Sequence, residues 1–317
     1  MKIEKDVSLA QFSTLRVGGA ADFFARVRNI DELKDVLKFV EEKKLHFFIF
    51  GGGSNLLFSD AGFRGVVIKN EIQNVDFTKN IVRVGSGALL AALVMESARR
   101  SLAGLESFAG IPGTVGGAVV GNANAIGEKV SRVKLLSMDG EEITVVCGDL
   151  EFSYRDSNLR GKILVEAEFE LEKTHQDLTE QVAHLAREKA TKHPFDGTAG
   201  SWFKNTADNK AWELIEKAGC RGLKVGGAQV SEKHANFFQN SGEATAADFL
   251  TLEKIVVEKV QENFGVRLEQ EVVVVCERGF SHFVRFILGS LLFWCQKSST
   301  KNRSPVAVTR ALFSLTY

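Results

Sequence analysis

Two stretches of this chain are almost bare of side chains, and they limit its fold more than any other feature. The first follows the apolar run Phe47–Phe50 with Gly51, Gly52 and Gly53, then Ser54, Asn55 and Leu56. The second opens Gly110, Ile111, Pro112, Gly113, Thr114 and continues through Gly116, Gly117 and Ala118 to Gly121. A glycine backbone can take φ > 0 and let consecutive N–H groups share one concavity, which binds an anion. The other reading is a tight turn for the first stretch and, for the second, a bend packed closely on a neighbouring backbone. Two such loops on successive small units suit a ligand with a pyrophosphate and two ends to bury. Neither loop is a common nucleotide fingerprint, since no Gly-x-Gly-x-x-Gly opens a helix and no Gly-Lys-Ser/Thr ends the first loop.

The units around the loops alternate in type. Asp22–Val27 reads as a strand, Asn29–Leu45 as an amphipathic helix, and Phe47–Phe50 and Gly65–Asn70 as strands, a β-α-β unit. The second unit opens with a strand from Ile81 and a helix over Leu89–Gly104. A hairpin over Val133–Val146 turns at Asp139-Gly140, and a strand spans Lys162–Lys173. A third unit holds helices near Leu178–Thr191, at Lys210–Gly219 and at Ala246–Phe264. The last of these is capped by Thr245 with Asp248 and stopped by Gly265. Val266–Val275 reads as its following strand.

Seven motifs then occur in order: "RVGGAADFF" from Arg16, "FGGGSNLLFSD" from Phe50, "ESFAGIPGTVGGAV" from Glu106, "FSYRDS" from Phe152, "AGSWFKN" from Ala199, "GGAQVSEKHANF" from Gly226 and "VRLEQEV" from Val266. Together they resemble the UDP-N-acetylenolpyruvoylglucosamine reductase family over about Val17–Val275. The resemblance implies an α+β chain: a two-part FAD-binding domain of the PCMH (vanillyl-alcohol-oxidase-like) type, then a C-terminal α+β substrate domain. The expected boundaries are 1–72 and 73–175 for the two FAD-binding parts and 188–276 for the substrate domain.

The resemblance also implies that both glycine loops hold the flavin pyrophosphate. No histidine lies in or beside either loop, so the FAD is expected to be non-covalent, with NADPH as co-substrate. The implied reaction adds a hydride to C3 and a proton to C2 of an enolpyruvyl ether on a UDP-sugar. Its developing carboxylate charge needs a fixed cation, and Arg155 is the candidate. On spacing alone Arg155 could instead pair with Asp156 at the surface. Glu271, beside a substrate carboxylate, should hold a raised pKa and donate a hydrogen bond. Ser201 is the candidate proton donor to C2; without the resemblance it would be a serine in a turn. Tyr154, Asn205, Arg221, Lys233, His234 and Asn236 are candidate substrate contacts, with a packed core histidine as the other reading of His234. No tyrosine lies between Arg155 and Ser201, which matches the subclass lacking a tyrosine loop over the substrate.

The chain departs from the family pattern in places. Asn124 and Ile126 stand where glycine and tyrosine are usual, and Gln270 replaces a proline. Asparagine at 124 is tolerable if its φ stays positive. From Glu277 onward the sequence matches nothing expected and carries six basic residues against one acid. An atypical tail is expected over 277–317.

Composition narrows the class further. The formal charge is +0, which gives no reason to expect a nucleic-acid partner. The four cysteines lack metal-ligand spacing and read as free thiols of a reducing compartment. No metal is expected. The longest uncharged apolar run, Phe286–Cys295, is shorter than the ~20 residues a bilayer span needs. A cytoplasmic protein without a membrane span is expected from these points, and a monomer is the expected state, although no residue pattern speaks to it. Two other readings remain: a different flavin oxidoreductase of the same superfamily, or a flavin- or nucleotide-binding protein without turnover.

Overall fold

A computed structural model describes residues 2–277, 279 and 280. Most of the expected tail therefore lies outside the described residues. Among those described, no helix is long and apolar enough to cross a membrane.

The first sheet has strand order Ile3–Ser8, Ala20–Val27, Phe63–Asn70, Phe47–Phe50. Its last three strands run parallel, as a β-α-β unit requires. The helix of that unit is α1, Ile30–Lys43. The Asn29 side chain accepts from the Glu32 amide at its start (2.8 Å). Leu33, Val36, Leu37 and Val40 of α1 pack on Ala25, Val27, Val66 and Ile68. The polar first strand, Ile3–Ser8, was not anticipated. It pairs antiparallel with Ala20–Val27 at the sheet edge, where little side-chain burial is required.

The second sheet is antiparallel, in the order Glu142–Val146, Val130–Leu136, Ile163–Glu170, Ile81–Gly85, Val75–Thr78. Its hairpin turns through Gly140 at φ +83°, as expected from the Asp-Gly pair. One face packs on α2, Leu90–Arg99. The helix expected to run to Gly104 stops five residues earlier. Ser101 takes φ +54° and its carbonyl accepts from the Thr174 amide (3.0 Å). Leu102–Ala103 then pairs with Glu172–Lys173. Good helix formers there yield to a tertiary pairing. Within the second glycine-rich stretch, Thr114 caps a short helix, α3, Val115–Val120, where no helix was expected. Helix α4 spans Thr179–Lys192.

The third sheet runs Thr198–Ser201, Phe237–Asn240, Ala228–Val230, Lys224–Val225. It packs with α5, Ala211–Lys217, and α6, Ala246–Phe264, around fully buried Trp202, which stacks between Phe238 and Phe249. Helix α6 carries the expected capping box from Thr245 and Asp248, and Gly265 ends it at φ +68°.

The strand expected over Val266–Val275 is confined to Val273–Cys276, which pairs parallel with Leu56–Phe58. Residues 266–272 alternate inward and outward, with Leu268, Gln270 and Val272 buried. Their partner is only the short segment 202–204, so one isolated bridge forms, Phe203 to Gln270.

The start of α6 depends on a residue far away in sequence. Asp60 accepts from the Ala246 and Ala247 amides at 2.8 and 3.0 Å. Both would otherwise be orphan donors at a positive helix end. Asp60→Ala should cost about 1–2 kcal/mol of stability and Asp60→Asn less, read as shifts in urea midpoint at constant slope.

Candidate active site

The two glycine loops meet. A Cβ on Gly52 would lie 2.9 Å from the Gly113 Cα, and one on Gly113 would lie 2.7 Å from Ser54 Oγ. A Cβ on Gly51 would collide with Thr114, and one on Gly53 with the Phe12 carbonyl. Gly53 and Gly113 also sit at φ +68° and +102°. Close approach therefore explains the glycines themselves. It does not explain the amides. Among the described residues, the N–H groups of Gly51, Gly52, Gly53, Ser54, Gly113 and Thr114 donate to no protein acceptor. Buried or half-buried donors without partners need an external acceptor. Six of them along one seam fit a pyrophosphate. Gly117 stays exposed at the first turn of α3, Ala118 is buried behind it, and the Ile111-Pro112 corner leads into the seam.

From the second loop the chain passes through 122–127 and reaches a hairpin, Phe152–Ser153 with Asp156–Ser157, whose tip is Tyr154-Arg155. Two contacts hold that hairpin, and a third orients Asn122 for the first of them. Asn122 Nδ2 donates to the Ser153 carbonyl (2.7 Å) while Asn122 Oδ1 accepts from the Gly127 amide (3.0 Å). Ser157 Oγ donates to the Val120 carbonyl (2.7 Å). Asn122 is a residue whose role the sequence did not reveal, although its loop stood out. Asn124 keeps the positive φ its site requires, +51°.

Arg155 sits at φ +58°, a conformation a non-glycine residue holds at a cost of about 1–3 kcal/mol and only when its surroundings impose it. Its Nε lies 2.9 Å from Glu271 Oε1. The angle is poor enough that this N–H makes no linear hydrogen bond. Asp156 pairs with Arg160 instead, so the surface ion pair considered for Arg155 does not form. Burial raises the Glu271 carboxyl above its ordinary range, against the pull of Arg155, Lys204 and Arg160.

Glu271 is tied to both other parts of the site. Its carbonyl accepts from Asn55 Nδ2 of the first glycine loop (3.3 Å), and its amide donates to the Trp202 carbonyl (2.8 Å). Ser201 immediately precedes Trp202, at the end of its strand. Between the Thr198–Gln239 and Ser201–Phe237 pairs the register slips, with Gly200 at φ +80°. Such a glycine bulge turns the next side chain away from the regular pleat. Tyr154 is 56% exposed, and its hydroxyl accepts from the Asn205 amide (3.3 Å). Asn205 Oδ1 in turn accepts from Ala211 at the start of α5 (3.0 Å).

The remaining candidates form a second group. Arg221 is paired with Glu216 (2.8 Å) and donates to the Glu232 carbonyl. Lys233 Nζ donates to the Ala190 carbonyl in the last turn of α4 (2.8 Å). His234 packs against His193 and Phe237, and burial beside His193 lowers its pKa to about 4. His193, at the end of α4, carried no sequence signal because its neighbours are distant in the chain. Asn236 has both ends of its amide bound to Phe203.

Glu271 gives a pH test. A carboxyl whose folded pKa is raised above the ordinary 4.5 favours the fold most below that value and loses this contribution as pH rises through the folded value. Relative to Glu271→Gln, the native protein should therefore lose stability as pH climbs above about 4.5, with no further loss once the carboxyl is fully ionised. Paired urea titrations across pH check this.

The chain resembles known proteins along most of its length. Residues 191–275 match the family model "UDP-N-acetylenolpyruvoylglucosamine reductase, C-terminal domain", and residues 21–148 match "FAD binding domain". The UDP-N-acetylenolpyruvoylglucosamine reductase of Clostridioides difficile is 39% identical over 285 residues, covering 87% of this chain and 94% of its own. That of Agathobacter rectalis is 40% identical over 295 residues, covering 86% and 94%. The crystal structure of the reductase from Thermus caldophilus superposes with a TM-score of 0.74 at 35% identity, covering 86% of this chain and 99% of that one. On these matches, the chain belongs to the UDP-N-acetylenolpyruvoylglucosamine reductase family.

Proposed function

We propose that the protein reduces UDP-N-acetylglucosamine enolpyruvate to UDP-N-acetylmuramate with NADPH, through non-covalent FAD, in peptidoglycan precursor synthesis. The observation that carries this is the single path of contacts from the glycine seam to the Arg155–Glu271 pair. Asn55, the next residue but one after Gly53, bonds directly to Glu271. A ligand held by the seam amides and a carboxylate held by Arg155 would therefore be neighbours.

Gly51–Leu56 and Gly110–Ala118 would hold the pyrophosphate through main-chain amides, without side-chain charge. Bound FAD supplies the hydride relay from NADPH to C3 of the enolpyruvyl ether. Arg155 receives the substrate carboxylate. Its guanidinium stays charged throughout, so it favours the extra negative charge that builds on that group as C3 is reduced. The off-angle contact with Glu271 leaves the guanidinium able to turn to a better acceptor.

Glu271, whose pKa burial raises, would in its protonated form donate to the same carboxylate, where an ionised side chain would repel it. Ser201 donates its hydroxyl proton to C2. A hydroxyl is a weak acid, but the acceptor is a far stronger base and the bulge at Gly200 fixes the donor's approach. Tyr154, Asn205, Arg221, Lys233 and His234 would border the UDP-sugar, with Asn236 behind them. The protein would act as a monomer, and the NADPH requirement fits a cytoplasmic enzyme.

Purified protein should be yellow, with flavin released on denaturation. NADPH should bleach it without oxygen, and the enolpyruvyl UDP-sugar should restore the colour. Colour that no enolpyruvyl UDP-sugar restores would defeat the proposal. Ser201→Ala should leave bleaching near normal and slow recovery about 10³-fold or more, some 4 kcal/mol. Equal slowing of both halves would remove Ser201 as proton donor.

A further inference from the structure

We propose that Asn236 is a positioning residue for the proton donor, not a contact for the substrate; this rests on the reading of Ser201 given above. At Trp202 the chain leaves the third sheet, and ordinary ladder bonds end with it. Asn236 takes their place. Its carbonyl accepts from the Trp202 amide (2.7 Å). Its side-chain Oδ1 accepts from the Phe203 amide (2.9 Å), and its Nδ2 donates to the Phe203 carbonyl (2.8 Å). One residue thus fixes the three successive peptide units 201–202, 202–203 and 203–204.

The same three bonds act on Glu271, whose amide is held by the Trp202 carbonyl (2.8 Å). Asn236 is only 4% exposed, so a sugar or diphosphate has no access to its amide. Side-chain amides that bond a backbone N–H and C=O at once copy a strand neighbour, and their geometry tolerates neither a longer nor a shorter side chain. Loss of the clamp frees the 201–203 segment to shift. A shift of about 1 Å at a proton donor costs on the order of 10²-fold in rate.

Asn236→Asp isolates the clamp because the shape is retained. The oxygen replacing Nδ2 faces the Phe203 carbonyl and repels it when the carboxyl is ionised. Protonated, the carboxyl donates to that carbonyl and restores the clamp. Burial raises its pKa, bringing the recovery into a measurable range. The titratable groups nearby are His234, whose Nδ1 accepts from the Asn236 amide (3.3 Å), and Glu271. Both are present in the native protein, whose pH profile serves as the reference. Asn236→Ser is the control, since its hydroxyl is too short to span both groups at any pH.

Rapid mixing of the FAD-loaded protein separates the two halves. Both variants should be reduced by NADPH within about twofold of the native rate. Reoxidation by the enolpyruvyl UDP-sugar should fall about 10²-fold at neutral pH in each. Relative to the native profile, Asn236→Asp should recover about tenfold or more towards pH 5.5, and Asn236→Ser should not. A raised KM at unchanged kcat would make Asn236 a substrate contact and overturn the proposal. So would a native rate of reoxidation in Asn236→Asp, equal slowing of both halves, or slowing without acid recovery. Ser201→Ala run alongside separates the two claims. If it leaves reoxidation intact, the reading of Ser201 fails. If it slows reoxidation while Asn236→Asp does not, only the present inference fails.

Discussion

The structure depends on one contact between two backbones, the seam where Gly52 lies against Gly113. Two arms leave this seam. One runs from Gly53 to Asn55 and on to the Glu271 backbone (3.3 Å). The other runs through α3 to Asn122, then to the Ser153 carbonyl and the hairpin tip (2.7 Å). They meet again where Arg155 Nε lies 2.9 Å from Glu271 Oε1. The path is closed, so moving either loop would pull the ion pair apart. A side chain on Gly52 or Gly113 would therefore act at the proposed site as well as at the seam.

The site is built against local stability. Arg155 holds a positive φ, Glu271 is drawn into a buried place that favours its neutral form, and six seam amides lack acceptors among the described residues. A positive φ at a non-glycine residue costs about 1–3 kcal/mol, and a buried donor without a partner about as much. The offset comes from ordinary packing nearby. Trp202, one residue from Ser201, is stacked on Phe238 and Phe249, and its indole N–H donates to Glu253 (3.1 Å). Strained polar groups on a rigid apolar base form a preorganised site, since the base supplies the energy that holds them in place.

Much of this was legible in the sequence where the cause is local. The Thr245–Asp248 box and Gly265 mark helix ends through bonds made within a few residues, and the structure has them. Asp139-Gly140 turns its hairpin for the same reason. What the sequence hid depends on distant partners. The early end of α2 is set by Thr174, and the isolated bridge at Gln270 by Phe203. The clamp of Asn236 on Phe203 spans 33 residues and leaves no pattern in the chain. Motif order suggested that Arg155, Ser201 and Glu271 belong together. It could not show that Asn122 props the hairpin, or that Asn236 is too deeply buried to meet a substrate.

Two of the departures from the family pattern, at Asn124 and Gln270, follow from the same distinction. At Asn124 the constraint is on φ, and asparagine accepts the left-handed region at modest cost, so the loop keeps its path. At Gln270 the bridge uses the Glu269 carbonyl, which accepts from Lys204, and the Glu271 amide, which donates to Trp202. The Gln270 N–H takes no part, so a proline fits this register without breaking a bond. Glutamine fits as well, but its Nε2 is buried with no hydrogen-bond partner among the described residues. An unpaired buried amide costs about 1–3 kcal/mol. Both substitutions therefore preserve the course of the backbone that carries Arg155 and Glu271, and the second does so at the expense of stability and not of geometry.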